Sequence, residues 1–127
     1  MDQLRFPDFA GETVIIYPPK EESTLLRKIL APAGIWPRKI QEVMLTEAIV
    51  EMVKGGLGLA LLAKWAVAPQ LASGAVVGKP LTGKGYSRTW WAAQLRDKRA
   101  PLHLEEFIRL LAENPIAAGI THRKSAA

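Results

Sequence analysis

Cysteine is absent from this 127-residue chain, which removes disulfides, thiol catalysis and every cysteine-ligated zinc or iron–sulfur site, and fits a reducing compartment. Histidine occurs only as His103 and His122, too few for a histidine metal cage. No window approaches the ~18 uninterrupted apolar residues of a membrane-spanning helix. The first ten residues carry Asp2, Arg5 and Asp8 where a signal peptide would place its apolar core. These absences predict a soluble, cytoplasmic protein with no membrane partner. Also missing is any run of five or six basic residues, despite a net charge of +5 and a pI near 9.7. Residues 1–63 sum to −1 and residues 64–127 to +6, with the excess scattered from Lys64 to Lys124. That spread reads as a mildly basic solvated face and not as a DNA-binding arm. What is present, 49% hydrophobic and 23% charged residues, is the composition of one packed globular domain.

The apolar pattern alternates between strand and helix periods. Thr13-Val14-Ile15-Ile16-Tyr17 is a β-branched run cut off by Pro18-Pro19, the signature of a buried strand ending in a loop. Glu21, Glu22 and Ser23 open a helix whose apolar face is Leu25, Leu26, Ile29 and Leu30, with Gly34 in the closing position. A weaker strand over 40–44 leads to Thr46-Glu47 and a helix carrying Ile49, Val50, Val53 and Leu57, which ends at Gly55-Gly56. Residues 57–62 are apolar without alternation, as in a strand covered on both faces of a parallel sheet. A short helix over 65–71, irregular at Pro69, precedes a fourth strand over 75–81 and a long Thr- and Trp-rich strand over 87–95. Pro101 starts a last helix with the stripe Leu104, Phe107, Ile108 and Leu111, stopped by Asn114-Pro115. The expected fold is α/β, an open and mainly parallel sheet with helices on both faces.

Catalytic and cofactor motifs fail on inspection. Gly78, Gly83 and Lys84 imitate a phosphate loop, but Gly85 stands where a magnesium-binding Ser or Thr is required and a strand follows where a helix is needed. Gly55-Gly56-Leu57-Gly58 follows a helix, the wrong order for a dinucleotide fingerprint, and reads as a helix cap with close helix–sheet packing. His103 and Glu106 form an i, i+3 pair that supplies two ligands at most, so a solvated helix face is the better reading. Trp90 and Trp91 are adjacent in a strand and point to opposite faces, which excludes a shared base-stacking platform. No serine has a nucleophile-elbow setting. The expectation is a protein that is not an enzyme and needs no metal or cofactor. Two segments survive as binding candidates, 17–23 and 44–47, because ligands in open α/β sheets settle outside the carboxyl ends of the strands, near helix N-termini. Taken singly, Ser23 and Thr46 read as helix caps; as a pair at two strand ends, they suggest a cleft.

Three stretches carry a specific likeness: Asp8-Phe9-Ala10-Gly11-Glu12-Thr13-Val14-Ile15-Ile16-Tyr17-Pro18, then residues 45–58 from Leu45-Thr46-Glu47-Ala48-Ile49-Val50 to Gly56-Leu57-Gly58, then Lys64-Trp65-Ala66-Val67. Together they resemble the effector-binding domain of LysR-type transcriptional regulators. The second and third stretches look most like the methionine-biosynthesis regulators of that family, whose co-inducer is homocysteine. The likeness runs from about residue 8 to 113.

The resemblance implies a two-lobed, periplasmic-binding-protein-like domain with a small-molecule cleft between lobes joined by crossing strands. Residues 1–9 would be an irregular lead, 10–86 lobe two, 87–113 a hinge strand and terminal helix of an incomplete lobe one, and 114–127 a flexible tail. The winged helix-turn-helix would lie outside this chain, so DNA is contacted only through that missing domain. By the same resemblance Tyr17, Pro18, Leu45, Thr46 and Glu47 match segments that face the effector cleft; Ser23 joins them from its place beyond the first strand, and the expected roles are Thr46 donating to the effector's carboxylate and Glu47 taking its ammonium. Ala10, Gly11, Ser87, Arg88 and Thr89 fall at the hinge. The stripe Leu104, Phe107, Ile108 and Leu111 needs an apolar partner, expected to be lobe two or a second chain in a homodimer. Effector binding would shift lobe closure and dimer geometry, with nothing chemically transformed. A solute-binding component of a transport system shares the same architecture and is the alternative.

Overall fold

The computed structural model describes residues 4–81, 85–88, 91–96 and 101–114. The chain divides into two compact units, Met1–Tyr86 and Ser87–Ala127, each taken by itself below.

In the first unit β1 (Thr13–Ile16) is the central strand of a three-stranded parallel sheet, flanked by β2 (Lys39–Glu42) and β3 (Leu59–Ala60) in the order β2-β1-β3. Thr13 aligns with Lys39 and Ile16 with Glu42 on one side, and Val14 with Leu59 on the other. β1 is central because it alone can be buried on both faces: Val14, Ile15 and Ile16 are all buried. Val14 and Ile16 point into a cluster with Phe9, Leu25, Leu26, Ile29, Leu30 and Leu81. Ile15 points to the opposite face, and its burial shows that this face is covered too. The open parallel α/β sheet expected from the alternation of periods is therefore present.

The connections depart from the expected elements where prolines and backbone hydrogen bonds intervene. The first helix is a π-helix over Leu25–Leu30 that passes into a 3-10 turn at Ala31–Ala33, preceded by another at Lys20–Glu22. Pro32 has no N–H for the carbonyl four residues back, so a regular α-helix cannot run through it. Gly34 then takes the left-handed conformation, φ +68°, that ends the segment. α1 spans Thr46–Lys54. β3 is shorter than the apolar run 57–62 because the N–H of Leu57 is already taken by the Met52 carbonyl, in the turns that finish α1. Gly58 lies so close to β1 that a Cβ there would stand 2.5 Å from the Thr13 carbonyl oxygen, the close packing expected of the Gly-Leu-Gly element.

A 3-10 turn over Lys64–Val67 leads into α2, Ala68–Ala72, with Pro69 tolerated in its first turn. The fourth strand expected over 75–81 is not formed in the described residues. The Ala75 N–H bonds the Gln70 carbonyl at 2.9 Å as α2 unwinds, which leaves the segment no ladder to join; Leu81 reaches the core from irregular backbone.

In the second unit, the strand expected over 87–95 is likewise absent from its described residues: Ser87, Arg88 and residues 91–95 are irregular. A strand exists only through its ladder, and β-propensity without a partner does not make one. Thr89 and Trp90 lie outside the described residues, as does most of the expected tail; Trp91 is exposed. α3 spans Leu102–Glu113, with Pro101 before it and Asn114 closing it through its own N–H and side-chain amide to the Leu110 carbonyl. Of the stripe, Leu104 and Ile108 are half-buried and Phe107 and Leu111 exposed.

Candidate functional site

Parallel strands deliver their carboxyl ends to one edge of a sheet, and here that edge gathers the loop after β1 and the entry to α1. The ladder extends one residue past β2, where the Val43 N–H bonds the Ile16 carbonyl at 2.9 Å. Just before it, Glu42 accepts the Lys20 backbone N–H on Oε1 at 2.7 Å. A carboxylate at the end of β2 thus holds the loop of residues 17–23 against the approach to α1. The strand order β2-β1-β3 reverses direction at the β1/β3 boundary, the kind of switch point beside which open α/β sheets bind ligands.

The six expected effector residues distribute as follows. Tyr17 is exposed and Pro18 half-buried at the end of β1. Ser23 is half-buried and accepts the Leu26 N–H on Oγ at 3.3 Å, so its hydroxyl serves the first turn of the π-helix, the capping role open to it from sequence. Leu45 precedes α1 and is exposed, its carbonyl accepting the Ile49 N–H at 3.0 Å. Thr46 is not a cap: it occupies the first turn of α1, half-buried, and the helix has no side-chain cap at all. Its hydroxyl and the leading N–H groups of the helix are consequently uncommitted to capping. Glu47 is exposed in that first turn, where its charge suits the helix dipole.

Of these, Thr46 and Glu47 share a cavity of about 170 Å³ with Val50 and Glu51 on α1 and with Ala66 and Gln70 on the segment after β3. Glu51 is held by Lys54 at 2.9 Å. Gln70 Oε1 is buried with no donor in reach. Glu42 and Gln70 escaped the sequence reading. Gln70 carried a signal, being the one polar side chain between Trp65 and Ala72; Glu42 carried none, since its partner is a backbone N–H 22 residues away. A larger cavity of about 580 Å³ runs beside β3, lined mainly by aliphatic side chains such as Leu59, Leu62, Val67, Leu71 and Val76.

Ala10 closes the 3-10 turn Phe6–Phe9, and Gly11 continues the turn into β1. His103 and Glu106 do not act together. Glu106 bonds Arg109, which also holds Glu113 at 2.7 Å, and the Arg109 guanidinium keeps the Glu106 carboxyl below its usual pKa. Among the described residues no group of three or more His, Cys, Asp or Glu could hold a metal, and no helix is long and apolar enough to cross a membrane.

Comparison with known proteins agrees with this architecture. The family model of the LysR substrate binding domain matches residues 2–115. The HTH-type transcriptional regulator MetR of Haemophilus influenzae is 34% identical over 101 residues, covering 79% of this chain and 32% of its own length. MetR of Escherichia coli K12 is 35% identical over 103 residues, covering 80% and 32%. The chain therefore spans about a third of the length of the curated relatives it matches. Among solved structures, the regulatory domain of MetR from N. meningitidis, a LysR family regulator, superposes with a TM-score of 0.61 at 40% identity, over 67% of this chain and 39% of that one. With the family model matching residues 2–115 and the parallel sheet shared with a solved relative, this chain belongs to the LysR substrate-binding domain family and within it is MetR-like.

Proposed function

We propose that this chain is the effector-sensing part of a cytoplasmic LysR-type transcriptional regulator, and that it takes a small amino-acid co-inducer, homocysteine or a close relative. The observation that carries the reading is the carboxyl edge of the sheet. There the loop after β1 and the entry to α1 are tied together through Glu42 and Val43, next to a helix start with no side-chain cap. Unclaimed N–H groups and a hydroxyl suit a carboxylate, and the exposed Glu47 suits an ammonium. Tyr17, Pro18, Ser23 and Leu45 frame that edge. Ala10, Gly11, Ser87, Arg88 and Thr89 serve as the hinge to a first lobe, and Leu104, Phe107, Ile108 and Leu111 contribute to a homodimer. DNA is held by a winged helix-turn-helix elsewhere in the regulator, and effector binding changes lobe closure with no bond made or broken.

Titration calorimetry of the full-length regulator with L-homocysteine tests the reading. Saturable binding is expected, weakened about fivefold or more by Thr46→Ala through the loss of one hydrogen bond to a charged group. Absence of binding, or equal affinity in the variant, overturns the assignment of this edge.

A further inference from the structure

We infer that Glu42 is a positioning residue of the effector site, the acceptor that holds the loop after β1 in place for the effector without touching the effector itself; this rests on the reading just given and names the residue that fixes the geometry of that edge. The loop cannot hold itself. Pro18 and Pro19 have no N–H, so the Lys20 N–H is the first donor that the chain offers after Tyr17. It opens the 3-10 turn Lys20–Glu22, whose own bonds run from the Glu22 N–H to the Pro19 carbonyl and from the Ser23 N–H to the Lys20 carbonyl. The Lys20 N–H therefore has no acceptor inside the turn, and Pro19 before it provides no side-chain cap. Glu42 Oε1 accepts that N–H at 2.7 Å from 22 residues away.

Two consecutive residues at the end of β2 thus pin the two ends of the loop. The Val43 N–H holds the Ile16 carbonyl at 2.9 Å where the loop begins, and Glu42 holds Lys20 where it ends. Only Tyr17, Pro18 and Pro19 lie between these anchors, and Tyr17 is 58% exposed. Shortly after Val43 the same chain enters α1 at Thr46, so β2 sets both sides of the edge at once. Glu42 and Lys20 are exposed, and a change at one exposed bond moves the stability of a whole domain very little. Its effect falls on the loop instead, because a loop already held in place is not ordered at the expense of binding. A carboxamide oxygen also accepts an N–H. The role therefore survives loss of the charge and not loss of the oxygen.

The test compares Glu42→Ala and Glu42→Gln in the full-length regulator by titration calorimetry with L-homocysteine, together with the unfolding midpoint and the Lys20 amide resonance of protein carrying isotopically labelled lysine. Glu42→Ala should shift that resonance and weaken binding about fivefold, with the midpoint within about 1 °C of the parent. Glu42→Gln should bring the affinity back to within about twofold of the parent. An unmoved Lys20 resonance in Glu42→Ala, or a parent-like affinity in that variant, overturns the inference. Equal weakening in both variants overturns it too, because the effector would then be reading the charge of Glu42 directly. A midpoint that falls in step with the affinity makes the role a merely structural one and has the same result. Homocysteine binding that is weakened in Thr46→Ala but intact in Glu42→Ala removes Glu42 and leaves the effector reading standing. A parent protein that does not bind homocysteine overturns both.

Discussion

α1 and α3 are equally amphipathic by sequence, yet they meet opposite fates. α1 buries Ile49 and Val50 to 1% and 3% exposure, whereas α3 has no buried residue and leaves Phe107 56% exposed. A hydrophobic stripe says which face of a helix seeks cover and nothing about whether cover exists. α1 lies between two strands of one parallel sheet, and the connections from β2 into it and from it into β3 are short enough to lay it against that sheet. α3 follows a segment whose described residues form no strand, and it is stabilised visibly by its own surface, through Arg109 paired to Glu106 and Glu113.

The contrast can be broken most sharply in the core. Leu30→Ala removes a fully buried side chain and should cost about 2–5 kcal/mol of unfolding free energy. In dilute protein Phe107→Ala should cost less than about 1 kcal/mol. Urea denaturation of both variants measures the difference; equal losses would mean that the α3 face is covered in solution. At higher concentration the paired change Phe107→Glu with Ile108→Glu is expected to abolish self-association in light scattering without moving the dilute unfolding midpoint. Association that survives it removes the stripe from the proposed dimer interface.

Packing between strands is the next largest effect. Gly58→Ala forces a methyl group to 2.5 Å from the Thr13 carbonyl oxygen, a backbone atom that cannot step aside, and should cost about 1–3 kcal/mol. Gly34→Ala meets no neighbour but must hold φ at +68°, with an expected loss of about 1 kcal/mol, recoverable in part by Gly34→Asn. If both variants melt like the parent, the close approach of β3 to β1 and the left-handed turn are not constraints.

The smallest effect belongs to α3. Arg109 lowers the pKa of Glu106 through their hydrogen bond. A carboxyl whose folded-state value is depressed contributes stability above its ordinary value and loses it as pH falls through the lowered one. The helicity of α3 should therefore decline on acidification below the usual glutamate range, and Glu106→Gln should flatten that part of the profile. Both side chains are half-exposed, so added salt should shrink the difference. A profile identical in variant and parent removes the pair from the account of this helix.

Much of the fold was legible because it rests on local chemistry. The β-branched run at 13–16, the glycine at 34 and the helix opening at Thr46 each act within a few residues, and each lies where its pattern places it. The strands expected over 75–81 and 87–95 were misread for one reason: Val, Thr and Trp report a fitness for pleated surfaces, while a strand needs a neighbour with free N–H and carbonyl groups. Ala75 gives its N–H to α2 instead. The site divides in the same way. Thr46 and Glu47 were visible as a helix entry, but Thr46 turned out to be inside the first turn and not its cap.

By itself the sequence determined the α/β class, the absence of thiol chemistry and the apolar faces of its helices, since composition and short-range periodicity encode all three, while the family likeness rested on three particular stretches of residues. Only the tertiary structure decided that β1 is the central strand, that Glu42 holds a loop 22 residues away, and that Gln70 meets Thr46 across one cavity. Those facts depend on which distant segments are brought together, and contact between residues far apart in the chain is a property of the folded backbone that no local pattern states.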